Sequence, residues 1–121
     1  MAVGFEMFQS SFQPVLDAYI GGEIGDSELE RDTEWRKRWF WPMVRYLPVF
    51  RYCKAARIRM LAINADSEDL SFVEEGGLPL LGRERMSKYI RDPKGFAAFT
   101  NTTAFREYVA YVVSPTYNAH R

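Results

Sequence analysis

The sequence predicts a mostly α-helical fold, a compact bundle of five or six short helices. Three observations support this prediction: a length of 121 residues, a hydrophobic fraction of 47%, and helical spacing of apolar residues along much of the chain. A chain of this length has room for one domain and buries roughly two thirds of the surface that its unfolded form exposes. We therefore expect a single globular domain over residues 1–121, with a flexible tail at 116–121.

The first apolar stretch has the spacing of one face of a helix. Its members are Phe5, Phe8, Phe12, Val15, Leu16, Tyr19 and Ile20. Pro14 interrupts this pattern, so it either kinks one long helix or marks the start of a shorter one, with Ser10 or Ser11 as the cap. Gly21 and Gly22 should end the helix, because glycine readily adopts the left-handed conformation found there.

A second helix is predicted from the capping-box spacing of Ser27 and Glu30. Pro42 should end or bend it. The side chains predicted to face inward are Leu29, Trp35, Trp39, Phe40 and Met43. Pro48 predicts the start of a third helix, which would run to about Asn64, since proline fits the first turn.

The end of this third helix has an alternative interpretation as a strand. The helical face pattern is less clean there, so residues 57–63 could instead form a strand that pairs with residues 70–74 across a polar turn at 64–69. The bundle would then include one small β-hairpin near residues 57–75.

Three further short helices are predicted in the last third of the chain. Asp92 and Pro93 supply the cap and the first-turn proline of the middle one. Asn101 or Thr102 caps the last one, and Pro115 should stop it.

Charge is unevenly distributed although the net charge is zero. Residues 1–30 contain six acidic residues and neither lysine nor arginine, whereas residues 31–59 contain nine basic residues and two acidic ones. Either the two segments pack together and neutralise each other, or the basic segment faces an acidic partner.

Three tryptophans lie among basic residues within residues 35–41. Tryptophan and arginine are the residue types that dominate the binding energy of protein interfaces. The alternative is that the tryptophans belong to the core and the basic residues form its solvated rim. The predicted partner-binding residues are Trp35, Arg36, Arg38, Trp39, Trp41, Arg45 and Arg51.

The sequence predicts no catalytic residues, metal ligands or cofactors. The one histidine, His120, lies beside the carboxy terminus and the one cysteine is Cys53, so neither a catalytic triad nor a zinc site is expected. A calcium-loop spacing over residues 64–75 has Asp69 where the sharp turn requires glycine. The chain has no phosphate-binding glycine motif.

We therefore predict a non-enzymatic protein-binding module that docks on a larger protein or complex and inhibits or adapts it. Small size without catalytic motifs is typical of bacterial or phage accessory proteins such as inhibitors and immunity proteins. The alternative is a nucleic-acid-associated protein that uses the basic aromatic segment 31–59. A cytoplasmic location without a membrane span is expected, because the sequence shows no signal peptide and no long apolar run.

Overall fold

The structure, a computed structural model, describes residues 1–119, without the side chains of residues 117 and 118. It divides into two compact units, one over residues 1–81 and one that begins at Gly82. Helices predominate in the described residues, so the prediction of a mostly α-helical protein is confirmed, but the helices are more numerous than the five or six expected. The single domain over residues 1–121 stays a prediction.

The first unit contains a two-stranded parallel sheet of β1 (Ala2–Gln9) and β2 (Arg59–Asn64). β1 corrects the prediction that this stretch is helical. The strand register shifts between Phe5 and Gln9, and such an irregularity changes which side chains face the core. Phe5 and Phe8 are both buried for this reason, and their spacing of three imitates a helix face.

β2 confirms the strand alternative for residues 57–63, but the hairpin near residues 57–75 is wrong. β2 pairs with β1, and the predicted second strand lies instead in helix α5 (Ser67–Gly76). Parallel strands need a long crossover connection. The helices between β1 and β2 provide it, so the partner of β2 lies about fifty residues before it in the chain.

Helix α1 (Gln13–Ile20) has Pro14 in its first turn, which confirms the shorter of the two predicted helices. The predicted cap is wrong, because the side chains of Ser10 and Ser11 do not cap α1. The Ser10 hydroxyl instead donates to Asp66 Oδ2 at 3.3 Å, and the Ser11 backbone N–H donates to Asp66 Oδ1 at 2.9 Å. Asp66 therefore ties the end of β1 to the start of α5.

The predicted second helix forms as two pieces, α2 (Asp26–Asp32) and α3 (Trp35–Arg38). They are separated at Glu34, whose φ of 51° is left-handed and therefore interrupts the helix. The N-terminal contact of α2 is made by Glu28, whose Oε2 accepts from the Gly25 backbone N–H at 3.1 Å. The predicted pairing of Ser27 with Glu30 is not the cap.

Helix α4 (Leu47–Ala56) confirms that Pro48 lies in the first turn of a helix. The helix ends before Arg57, which is left-handed with a φ of 52°, so the version that ran to Asn64 is wrong. After α5, a 3₁₀ turn over Leu78–Leu81 completes the first unit.

The core of the first unit is aromatic at its centre. The Phe50 ring packs edge-on against Phe5 at 5.1 Å and against Trp35 at 6.1 Å between centroids, and it lies 5.2 Å from Phe8. The buried cluster consists of Phe5, Phe8, Leu16, Tyr19, Leu29, Trp35, Met43, Phe50, Cys53 and Met60. One continuous cluster therefore joins both strands to α1, α2, α3 and α4.

The Arg38 side chain lies at the junction of α3, β1 and α5 and is only 10% exposed. Its guanidinium donates to Gln9 Oε1 at 2.6 Å, Glu34 Oε2 at 2.9 Å and Glu68 Oε1 at 2.6 Å. It also lies 5.0 Å from the centre of the Phe12 ring. Hydrogen bonds to Glu68 raise the pKa of Arg38 above its ordinary value, so the group is always charged.

The second unit contains α6 (Gly82–Ser87), α7 (Pro93–Thr100) and α8 (Thr103–Tyr108). Two predicted caps are confirmed: Asp92 accepts from the Gly95 N–H at 3.0 Å, and Thr102 accepts from the Phe105 N–H at 3.3 Å. No residue of this unit whose burial the structure describes is buried.

The last helix does not stop at Pro115 as predicted. A π-helical turn over Val109–Val113 leads directly into α9 (Ser114–Ala119). Proline is tolerated here because the preceding turn is wide and relieves the clash that its ring causes in a regular helix. The flexible tail at 116–121 stays a prediction, because residues 120 and 121 lie outside the described residues.

Within residues 1–119, no helix combines the length and the apolar character needed to cross a bilayer. The cytoplasmic location stays a prediction.

The ion pair between Arg38 and Glu68 predicts a defined pH dependence of stability. A hydrogen bond from Arg38 lowers the pKa of Glu68 to about 2. A lowered carboxyl pKa stabilises the fold above the unfolded pKa, near 4.5, and this contribution disappears as pH falls towards 2. Because Glu68 is 60% exposed, we expect a contribution of at most about 1 kcal/mol.

Urea unfolding of the wild type and of Glu68→Gln from pH 7 to pH 2.5 measures this contribution. The two stability curves should approach each other as the pH falls from about 4.5 to 2.5, the range over which the contribution is progressively lost. A gap that stays constant over the whole range would mean that the ion pair does not cause it.

Candidate functional site

A cleft of about 690 Å³ lies on the surface of the first unit, and we call it the aromatic cleft. Its lining consists of Asp26, Ser27, Glu30, Trp35, Arg36, Trp39, Phe40, Trp41, Pro42, Met43, Val44, Leu47 and Arg51. The volume falls within the range of small-molecule sites, roughly 300–1,000 Å³. Aromatic rings and guanidinium groups thus meet in one concave surface.

Trp35 forms the inner wall of the aromatic cleft. Its side chain is 3% exposed and packs on Phe8 and Tyr46, with ring centroids 5.5 Å away in each case. Its Nε1–H donates to the backbone carbonyl of Trp41 at 2.8 Å. This hydrogen bond holds the segment after α3 against the core and so determines where the other two tryptophans lie.

Trp39 and Phe40 form a stacked pair beside this wall. Their ring centroids lie 4.9 Å apart and their planes differ by 16°. Phe40 is 82% exposed, which corrects its prediction as an inward residue. The Trp39 Nε1–H is enclosed and has no hydrogen-bond partner among the described residues. A buried donor without a partner is costly, and this one lies in a residue of the cleft wall.

Trp41 and Arg45 form a second exposed pair. The Trp41 ring is 46% exposed, and the Arg45 guanidinium lies 5.1 Å from its centre. A guanidinium over an indole face is held by a cation–π interaction. The pair therefore presents an aromatic surface and a positive charge at the same place.

The acidic residues of the cleft are paired with its basic residues. Arg36 donates to Glu30 at 2.8 Å, and Arg51 lies 2.8 Å from Asp26. Asp26 also accepts from the Tyr19 hydroxyl at 2.8 Å, and these hydrogen bonds, the one from Tyr19 first, lower the pKa of Asp26. Exposed ion pairs contribute little free energy, so Arg36 and Arg51 can exchange their partners for another anion at low cost.

These pairs also explain the uneven charge of the sequence. The acidic segment 1–30 contacts the basic segment 31–59 through Asp26, through Glu30 and, at 3.7 Å, through Asp17 with Arg59. The structure thus supports the first of the two explanations, mutual neutralisation within the fold.

The structure brings five of the seven predicted binding residues together in the aromatic cleft: Trp35, Arg36, Trp39, Trp41 and Arg51. Arg45 lies over one of their rings. Arg38 does not join them, because its guanidinium is engaged with Gln9, Glu34 and Glu68 inside the fold. The role of the seven residues in binding stays a prediction. Sequence reasoning missed Phe40, Val44 and Leu47, whose place in the cleft depends on the course of the chain after α3.

Cys53 and the calcium-loop residues are the remaining sequence candidates that lie within the described part of the chain. Cys53 is buried, and desolvation raises the pKa of its thiol, as expected for a core residue. The calcium-loop spacing spans the end of β2 and α5, and Glu68 within it binds Arg38. No cluster of three or more His, Cys, Asp or Glu suited to a metal occurs within the described residues. His120 lies outside them.

A family model described as "Haem-binding uptake, Tiki superfamily, ChaN" matches residues 1–118. The match covers nearly the whole chain, so the chain belongs to this family. No curated protein and no solved structure matches the chain.

This family membership corrects the function predicted from the sequence. The chain is not an inhibitor or immunity module that docks on a larger protein, and the nucleic-acid alternative is wrong with it. The composition on which that prediction relied, tryptophan with arginine, suits protein surfaces but equally suits an anionic aromatic ligand. Composition by itself does not distinguish the two.

The different surroundings of Arg38 and Arg36 lead to opposite expectations for stability. Arg38→Ala removes the hydrogen bonds of the guanidinium to Gln9, Glu34 and Glu68 together with the packing of the side chain on the Phe12 ring. We therefore expect the free energy of unfolding to fall by about 1–2 kcal/mol. Arg36→Ala serves as the matched control, because the Arg36 side chain is 88% exposed, and its urea midpoint should barely change. Equal losses in the two variants would contradict the assignment of Arg38 to the core.

Proposed function

We propose that this member of the haem-binding uptake family binds haem in the aromatic cleft. The observation that carries the proposal is the combination of flat aromatic side chains with guanidinium groups in one concavity. Haem is a flat, largely apolar ring that bears two carboxylate side chains. Each of these two properties has a counterpart in the lining of the cleft.

The ring of haem matches the aromatic and aliphatic part of the lining. Trp39 and Phe40 are already nearly parallel, so a flat ligand can stack on Trp39 in place of the exposed Phe40 ring. Val44 and Leu47 supply apolar contacts on another part of the wall. Burial of such a large apolar surface is the main source of affinity, at about 25 cal/mol per Å².

The carboxylates of haem match the cations of the cleft. Arg36 and Arg51 are both exposed and paired with single carboxylates, and guanidinium groups bind carboxylates through two parallel hydrogen bonds. When haem enters, its carboxylates can take over one donor from each arginine. The enclosed Trp39 Nε1–H becomes a further donor if its ring turns as Phe40 moves away.

The openness of the cleft suits a ligand that is carried and passed on. Trp41, Phe40 and Val44 are all exposed at its mouth, so a bound ring would keep one edge in solvent. Haem is then the cargo of the chain rather than a group buried within its core.

Titration of the full chain with haem tests the proposal through the change in haem absorbance and the quenching of tryptophan fluorescence. We expect saturable one-to-one binding. Trp41→Ala should weaken it by about tenfold, which corresponds to the loss of about 1.4 kcal/mol of contact free energy. The double variant Arg36→Gln, Arg51→Gln should weaken it similarly, and more strongly at low salt.

Two matched controls distinguish the cleft from nonspecific adsorption of haem. Tyr52 is an aromatic residue that is 67% exposed outside the cleft, and Arg59 is an arginine that is 62% exposed and paired with Asp17. Tyr52→Ala and Arg59→Gln should bind haem like the wild type. If they lose as much affinity as the cleft variants, or if binding never saturates, the proposal is wrong.

A further inference from the structure

We infer that the aromatic cleft recognises the porphyrin ring and its carboxylates rather than the iron, so that iron-free and zinc porphyrins are also ligands. This inference rests on the proposed function and narrows it to a ligand class. The inference follows from which parts of the ligand the residues of the lining can contact.

The groups that would contact the ring do so through π faces and apolar surface. Trp39 with Phe40 and Trp41 with Arg45 present such faces. Stacking energy of this kind depends on the area and the electron distribution of the ring. The porphyrin macrocycle offers the same flat aromatic area whether or not it holds a metal.

At the periphery of the ligand, the cleft would bind the two carboxylates. Arg36 and Arg51 lie in the lining as exposed cations. Iron-free protoporphyrin carries the same two carboxylates at the same positions of the ring. These two arginines would therefore contribute equally to the binding of each porphyrin.

Iron, by contrast, meets few groups in the lining that are free to coordinate it. Proteins hold haem iron through His, Cys, Met or Tyr, and Met43 is the one such residue in the described lining. Met43 is 5% exposed and belongs to the core cluster. The carboxylates Asp26 and Glu30 are each bound to an arginine. Coordination by Met43 would have to draw its side chain out of the core cluster, and Asp26 and Glu30 are not among the side chain types that hold haem iron.

Parallel titrations of the full chain with haem, iron-free protoporphyrin IX and zinc protoporphyrin IX test the inference. Tryptophan quenching reports all three on the same scale. We expect dissociation constants that agree within about threefold. Trp41→Ala should weaken all three by the same factor, because it removes a ring contact that they share.

Met43→Leu examines the one sulfur ligand directly. Leucine conserves the volume of methionine, so the core should tolerate the change, and far-UV circular dichroism checks the fold. The ratio of haem affinity to iron-free porphyrin affinity should not change. Glu30→Gln tests in the same way whether a carboxylate binds the iron, because it too should leave the ratio of haem affinity to iron-free porphyrin affinity unchanged. This substitution does not alter the core.

The possible failures separate the two proposals. If haem binds and iron-free protoporphyrin binds more than about tenfold more weakly, the cleft recognises iron, and this inference is wrong while the proposed function stands. A drop in the affinity ratio for Met43→Leu or Glu30→Gln leads to the same conclusion. If none of the three compounds binds, the proposed function itself is wrong.

Discussion

The guanidinium of Arg38 joins three parts of the first unit that are far apart in the chain. It bonds to Gln9 at the end of β1, to Glu34 at the start of its own helix and to Glu68 in α5. α3 spans only four residues, which is too short to be stable by itself. Its orientation therefore depends on this network together with the burial of Trp35. The position of α3 in turn determines where Trp39 and the following segment lie, and so the shape of the aromatic cleft depends on a residue outside it.

Several local signals in the sequence placed helices correctly, but the predicted caps at Ser10 or Ser11 and at Ser27 and the stop at Pro115 are wrong. The pairing of strands that are distant in the chain was not predicted. Pro14, Pro48, Asp92 and Thr102 act within one turn of their own position, and the structure confirms each of them. The partner of β2 lies far away in the chain, and a nearer segment with suitable composition offered a hairpin instead. The irregular register of β1 gave its aromatic residues a helical spacing. Both errors concern the sheet, whose formation depends on contacts between distant residues.

The sequence indicated which segment contains the candidate site, but not which of its side chains form the surface of the cleft. Arg36 and Arg38 are two residues apart, yet one is exposed and the other is held inside the fold. The difference arises because Gln9 and Glu68 lie near Arg38 and not near Arg36. Neither of these two partners of Arg38 is evident from the sequence. Trp35 and Trp41 differ in the same way. The sequence contains a single histidine, His120, and so shows no pattern of haem-iron ligands. A ligand recognised through its ring and its carboxylates leaves no metal-binding motif in a sequence.

The central claim is that haem lies in the aromatic cleft against Trp39 and Trp41. Nuclear magnetic resonance of the 15N-labelled chain tests it most directly, because the paramagnetic iron of haem broadens signals of nearby groups. The three tryptophans give three indole N–H signals. We expect those of Trp39 and Trp41 to broaden first as haem is added in amounts below one equivalent. If both signals keep their widths while another part of the chain broadens, haem binds elsewhere and the account is wrong.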